Sequence, residues 1–116
     1  MTSLPAKMNI ETTLGAEAGH ARDLQDKIIA AVAGFYKISI KEMKRRTRKA
    51  SIAVPRQIAV YLIRDITGLS YPTIGRLFGF DHSTAIHAYK KISRNRSADA
   101  RLNSDIQQMA DSIRRE

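Results

Sequence analysis

Two short stretches of the sequence hold most of the side chains able to do chemistry. The first, DHSTAIHAYKK, runs from Asp81 to Lys91; the second, KEMKRRTRK, runs from Lys41 to Lys49 and places six basic side chains in nine positions. If the first stretch opens a helix, Ala85, Ala88, Tyr89 and Ile92 share an inner face. His82, Ser83, Thr84, His87, Lys90, Lys91 and Arg94 then lie outside or on the flanks. That outer set suits the edges of base pairs. His and Asp can address donors and acceptors, Ser and Thr can bond either, and a Thr methyl can pack on a thymine methyl. The lysines match phosphates. Asp81 also suits a helix N-cap for the amides of Ser83 or Thr84, a role compatible with base reading. His87, one turn past Ser83, reads either as part of that face or as an ordinary packing or hydrogen-bonding histidine. A catalytic triad of Asp81, His82 and Ser83 fails, because side chains adjacent in sequence point in different directions on a helix.

The basic stretch taken alone is a solvated face or a phosphate patch. Beside a groove-reading helix, an arginine in a non-helical connector can enter the neighbouring minor groove, and Arg48, followed by Lys49, is the candidate. The charge distribution agrees. The net charge of the 116 residues is +9, yet the window 41–96 alone carries thirteen basic and three acidic side chains. The excess is concentrated in one segment, which points to a face that tracks a polyanion. With no cysteine there is no disulfide framework and no thiolate chemistry. Three scattered histidines make no zinc site, so neither a metal nor any other cofactor is expected. No apolar run is long enough for a bilayer span, and no signal peptide is legible at the start, so no membrane partner is expected and the cytoplasm, at the nucleoid, is the expected location.

The elements that must position these residues follow from periodicity and caps. Residues 1–20 read as a flexible leader. Leu24, Ile28, Ile29, Val32 and Phe35 fall at helical spacing and predict a helix ending near Tyr36. Ser39 and Glu42 make a capping box opening a short basic helix through about Arg46. TRKASIAV has no good helix start and reads as a connector. Pro55 suits a first helical turn, followed by the stripe Ile58, Tyr61, Leu62, Ile66 and a stop at Gly68. Ser70 caps a short helix with Pro72 in its first turn and Ile74, Leu77 and Phe78 facing inward; Gly79 ends it. After Gly79, Phe80 and Asp81 the next helix begins near His82 or Ser83. Two short helices across a tight glycine-containing turn form a helix-turn-helix. From Ala98, Leu102, Ile106, Met109 and Ile113 mark a last amphipathic helix, which either closes the core or offers a surface to a second copy or another partner. The fold class is therefore all-α: a leader over 1–20, a helix-turn-helix domain over 21–97 and a terminal helix over 98–116.

At these residues the sequence resembles the C-terminal DNA-binding domain of the bacterial replication initiator DnaA, from about Leu24 to Arg96. The block AVAGFYKISIKEMKRRTRKASIAVPRQIAVYLIRDITGLS and the signature FGFDHSTAIHAYKKI carry the likeness. The resemblance implies a helical bundle, Trp-repressor-like, that binds short asymmetric boxes of the TTATCCACA type in double-stranded DNA. It implies that Arg48 is the minor-groove arginine and that Asp81, His82, Ser83 and Thr84 are the base readers. Arg56 and Gln57 match the PRQ element that contacts backbone and nearby bases. Pro72, with its neighbours Tyr71 and Thr73, matches a phosphate-contacting helix start. Two departures bear on this. The turn FGFDHST is one residue shorter than the family's FGGRDHTT, with Phe80 where an arginine precedes the aspartate, and Ser83 stands for a threonine. A missing contact and an altered box preference are the expected results.

The sequence has no GxxxxGK[ST] loop, so no nucleotide is expected and replication could not be initiated by this chain alone. Its start, MTSLPAKMNIETTLG, reads as natural, favouring a stand-alone protein over an excised domain. A sequence-specific DNA binder acting as a transcriptional regulator or modulator at initiator-type boxes, as monomer or weak homodimer, is the leading expectation. The alternative is a nonspecific nucleic-acid-binding accessory protein, and no enzymatic pocket can be assembled from these residues.

Overall fold

The computed structural model describes residues 16–115, and side chains from 22 onward. The regular secondary structure of the described residues is all helix, in six elements: α1 Ala16–Tyr36, α2 Ile40–Met43, α3 Ala50–Thr67, α4 Tyr71–Phe78, α5 His82–Ala98 and α6 Ala100–Arg115. Most of the leader expected over 1–20 lies outside the described residues, but 16–20 are helical, so α1 starts well before Leu24.

Helix α3 is the centre of the bundle and packs against α1, α2, α4 and α5; α6 lies across α1 and α5. Its sequence explains this. Ala53, Pro55, Ile58, Ala59, Val60, Tyr61, Leu62 and Ile63 are all buried, too many for one stripe, as expected of a helix covered on several sides. Ile28 and Val32 from α1, Met43 from α2, Ile74 from α4 and Ile92 from α5 lie in the same core with almost no exposure, as does Ile106 from α6. The spacing expected for α6 holds, with Ile106, Met109 and Ile113 buried against the core cluster.

The local signals for ends are realised. Ser39 accepts from the Glu42 amide at 3.0 Å while the Glu42 carboxylate accepts from the Ser39 amide at 3.1 Å. The helix so opened is shorter than expected, ending at Met43 rather than near Arg46. Ser70 caps α4, Asp81 caps α5, and Gly68 and Gly79 terminate α3 and α4 in left-handed conformations at φ 74° and 77°.

A further boundary, the start of α3, departs from the sequence reading for a physical reason. The stretch TRKASIAV is not all connector: α3 begins at Ala50, and Pro55 sits in its second turn instead of its first. No side chain caps this start; Ile52 and Ala53 both donate to the Lys49 carbonyl, at 2.9 and 2.7 Å. The extra turn is held by burial of Ala53 and Pro55 rather than by a local cap. Pro55 removes the amide that would bond the Ser51 carbonyl, and Ser51 is exposed, where water can take its place. The true connector is therefore 44–49.

No helix among the described residues is long and apolar enough to cross a membrane, and no group of three or more His, Asp or Glu is placed to hold a metal ion.

Candidate nucleic-acid interface

Helices α4 and α5 form the helix-turn-helix around residues 79–81. Gly75 makes this turn possible. A Cβ there would lie 2.5 Å from the Phe80 carbonyl oxygen and 3.1 Å from that of Asp81, so the turn backbone lies directly on the bare α-carbon. The Phe80 amide donates to the Gly75 carbonyl at 3.0 Å, and the Phe80 ring stacks near-parallel on Phe78 with centroids 5.7 Å apart. These contacts fix where α5 begins.

At that beginning, Asp81 Oδ1 accepts from the Thr84 amide at 3.0 Å and from the Thr84 hydroxyl at 3.1 Å. The cap thus occupies the Thr84 hydroxyl and leaves its methyl as the group not engaged by the cap. These bonds hold the exposed Asp81 carboxyl below the usual carboxylate value, the Thr84 amide contributing most. A depressed folded value stabilises the fold at pH above the unfolded carboxylate value, and that contribution is lost as the pH falls through the folded value. Asp81→Asn, which retains a neutral cap, should therefore flatten the acid limb of the stability profile below about pH 4. Urea unfolding across pH 2–6 checks it; an unchanged acid limb would contradict the assignment.

The two chemical stretches meet here. A groove of about 850 Å³ is lined by Arg45, Arg46, Arg48, Arg56 and Arg76 together with Thr47, Phe78, Gly79, Phe80, Asp81 and Thr84. Five arginines therefore line the groove at the head of α5, with Asp81 the sole acid in the lining. The connector is tied down. Arg56 donates from Nη1 to the Arg45 carbonyl at 2.7 Å and from Nη2 to the Thr47 carbonyl at 2.9 Å, and Arg46 donates from Nη2 to the Gly79 carbonyl at 3.0 Å. Burial lowers the Arg56 pKa from its ordinary value.

A smaller hollow of about 70 Å³ adjoins Arg56, Phe80 and Thr84, with Gln57, Val60, His87 and Ala88 as its other walls. Gln57 Oε1 is buried there without a hydrogen-bond partner among the described residues.

Of the residues singled out from sequence, Arg48, Arg56, Asp81 and Thr84 line the groove, and Gln57 and His87 join Arg56 and Thr84 around the hollow. His82, Ser83 and Lys90 are exposed on α5, and Lys91 is half-buried. Lys49, exposed, is the N-cap residue of α3 and lines neither cavity. Pro72 is exposed at the start of α4, whereas the Thr73 hydroxyl accepts from Ser70 and from Arg76. Tyr71 is drawn into a different cluster: Arg64 lies 4.5 Å from its ring centroid, and Tyr89, itself stacked on Tyr61, lies 6.1 Å away. Arg46, Gly75 and Arg76 were not marked individually by sequence reasoning.

Residues 25–92 match the family described as bacterial DnaA protein helix-turn-helix. The chain belongs to that family. Among curated proteins it is 41% identical over 115 residues to the chromosomal replication initiator protein DnaA of Levilactobacillus brevis, covering 91% of this chain and 25% of that protein. It is 39% identical to the DnaA of a Thermoanaerobacter species, with 93% and 26% covered. Over a shorter span of 82 residues it is 48% identical to the Burkholderia multivorans DnaA, covering 70% of this chain and 16% of that protein. The chain thus spans about a quarter of the length of the first two initiators.

Proposed function

We propose that this DnaA-family domain binds double-stranded DNA sequence-specifically, with the head of α5 in the major groove and the 44–49 connector along the backbone and into the adjacent minor groove. The observation that carries the reading is the convergence of five arginines on the Asp81–Thr84 helix start. Guanidinium groups supply the phosphate attraction, which is independent of sequence, while His82, Ser83 and the Thr84 methyl supply the discrimination. Exposed Lys90 adds a phosphate contact farther along α5. The output is regulation of transcription or of origin function at DnaA-box-like sites, by occupancy rather than by catalysis.

The Phe80 departure bears on which box is read. In place of a cation before the aspartate, this chain presents an aromatic ring packed on Phe78, so one charged contact is replaced by an apolar wall at the groove. A preferred site related to the initiator box, with changed bases where Phe80 and Ser83 approach, follows from that.

Two substitutions separate specific reading from bulk charge. Thr84→Ala should reduce the preference for a selected duplex over a scrambled one by about 1–3 kcal/mol. Lys90→Ala should weaken both duplexes alike and lower the slope of log K against log salt by about 0.9. Equal effects of both substitutions on both duplexes, measured by fluorescence anisotropy, would reduce the protein to a nonspecific polyanion binder.

A further inference from the structure

The connector 44–49 carries five basic side chains in six positions. Such a segment repels itself, and left alone it would be ordered only when a polyanion arrives, at a cost in affinity. Three bonds act against that. The Arg56 fork holds the connector from the α3 side through the carbonyls of Arg45 and Thr47, and Arg46 reaches from the connector to Gly79, 33 positions away, at the helix-turn-helix turn. All three acceptors are neutral backbone carbonyls, so the connector is anchored without neutralising any positive charge in the groove. The Gly79 carbonyl lies just past the end of α4, where helix carbonyls lack intrahelical partners.

We propose that Arg56 and Arg46 are positioning residues that lash the connector to α3 and to the turn, so that Arg48 and the head of α5 are presented as one preformed reading unit. The inference rests on the DNA-binding reading above. It gives Arg56 a positioning role beside its place in the groove lining, because one N–H of each terminal nitrogen is held by carbonyls two residues apart, an arrangement that needs a planar fork and leaves three of its five N–H donors free of these bonds. Lysine retains the charge and loses the fork. Charge-conserving substitution therefore distinguishes a latch from a phosphate contact.

The test compares wild type, Arg56→Lys and Arg46→Lys as full chains. Melting by circular dichroism verifies folding, and exposed Arg46 carries the test should Arg56→Lys not fold. In the free protein, nitrogen-15 relaxation should show the amides of 47–49 losing order, from about 0.85 toward about 0.6 in order parameter. Affinity for a selected duplex should fall about tenfold. Affinity for a scrambled duplex should fall by a smaller factor than affinity for the selected one, with the same salt slope, since no charge is removed. Unchanged order at 47–49 together with unchanged specific affinity in both variants would overturn the proposal and make these arginines simple phosphate contacts. If wild type shows no preference between the duplexes, the DNA-reading proposal fails, while the relaxation measurement still decides whether the latch exists.

Discussion

Gly75→Ala is expected to destabilise the domain by about 2–3 kcal/mol and lower the melting temperature by roughly 10 °C. The added methyl would lie 2.5 Å from the Phe80 carbonyl oxygen, and its nearest neighbours are turn backbone, which cannot rotate away as a side-chain end could. Relief requires moving residues 80 and 81, which also moves the Asp81 cap and the Phe80 wall of the groove. Binding of a selected duplex should therefore fall more than thermal stability alone accounts for, even well below the melting temperature. Gly34→Ala is the matched control. It lies inside α1 with nothing within 4 Å of an added Cβ, and should gain about 0.5–1 kcal/mol. A neutral or stabilising Gly75→Ala would refute the close approach.

The second large effect is expected at Ile58. It is fully buried in α3, the helix on which α1, α2, α4 and α5 all pack. Truncation to alanine removes its dispersion contacts and leaves a cavity that surrounding helices can only partly close, costing about 2–5 kcal/mol. Ile58→Val should cost only about 0.5–1.5 kcal/mol. A domain of this size has a total stability of about 5–15 kcal/mol, so the alanine variant should unfold at much lower urea with an unchanged slope. Equal midpoints for both variants would mean that α3 is not the centre of the core.

How much of this was legible in the sequence depends on the range of the interaction concerned. Ser39 with Glu42, Ser70 and Asp81 were legible because a cap bonds an amide within three residues, so its signal is written locally. Gly68 and Gly79 were legible for the same reason, as stops adopting left-handed backbone. The start of α3 at Ala50 was not: it has no side-chain cap, includes a proline in its second turn, and is held by burial against other helices. Similarly, Lys37 holds a left-handed φ of 59° at the end of α1, a conformation that no residue type announces when it is not glycine.

The candidate site shows the same division. The outward face of α5 could be set out from helical periodicity, and the basic run from composition. Their meeting in one groove could not, because it depends on Arg46 and Arg56 finding backbone carbonyls, and carbonyl directions are not encoded in residue type. Gly75 carries no local signal, because its partner is a turn carbonyl whose approach is invisible until the turn is built. Tyr71 stands beside Pro72 by resemblance, and the contacts of its ring with Arg64 and Tyr89 were not legible because they join residues far apart in sequence.

The measurement that bears most directly on sequence-specific binding is selection from random duplex DNA by the full chain, repeated with His82→Ala. The expected result is enrichment of a short asymmetric box related to TTATCCACA, bound at least about a thousandfold more tightly than its scrambled counterpart, with enrichment weakened or shifted by the substitution. No enriched motif, with both duplexes bound equally and with the same salt slope, would contradict it and leave the arginine groove as a nonspecific polyanion surface.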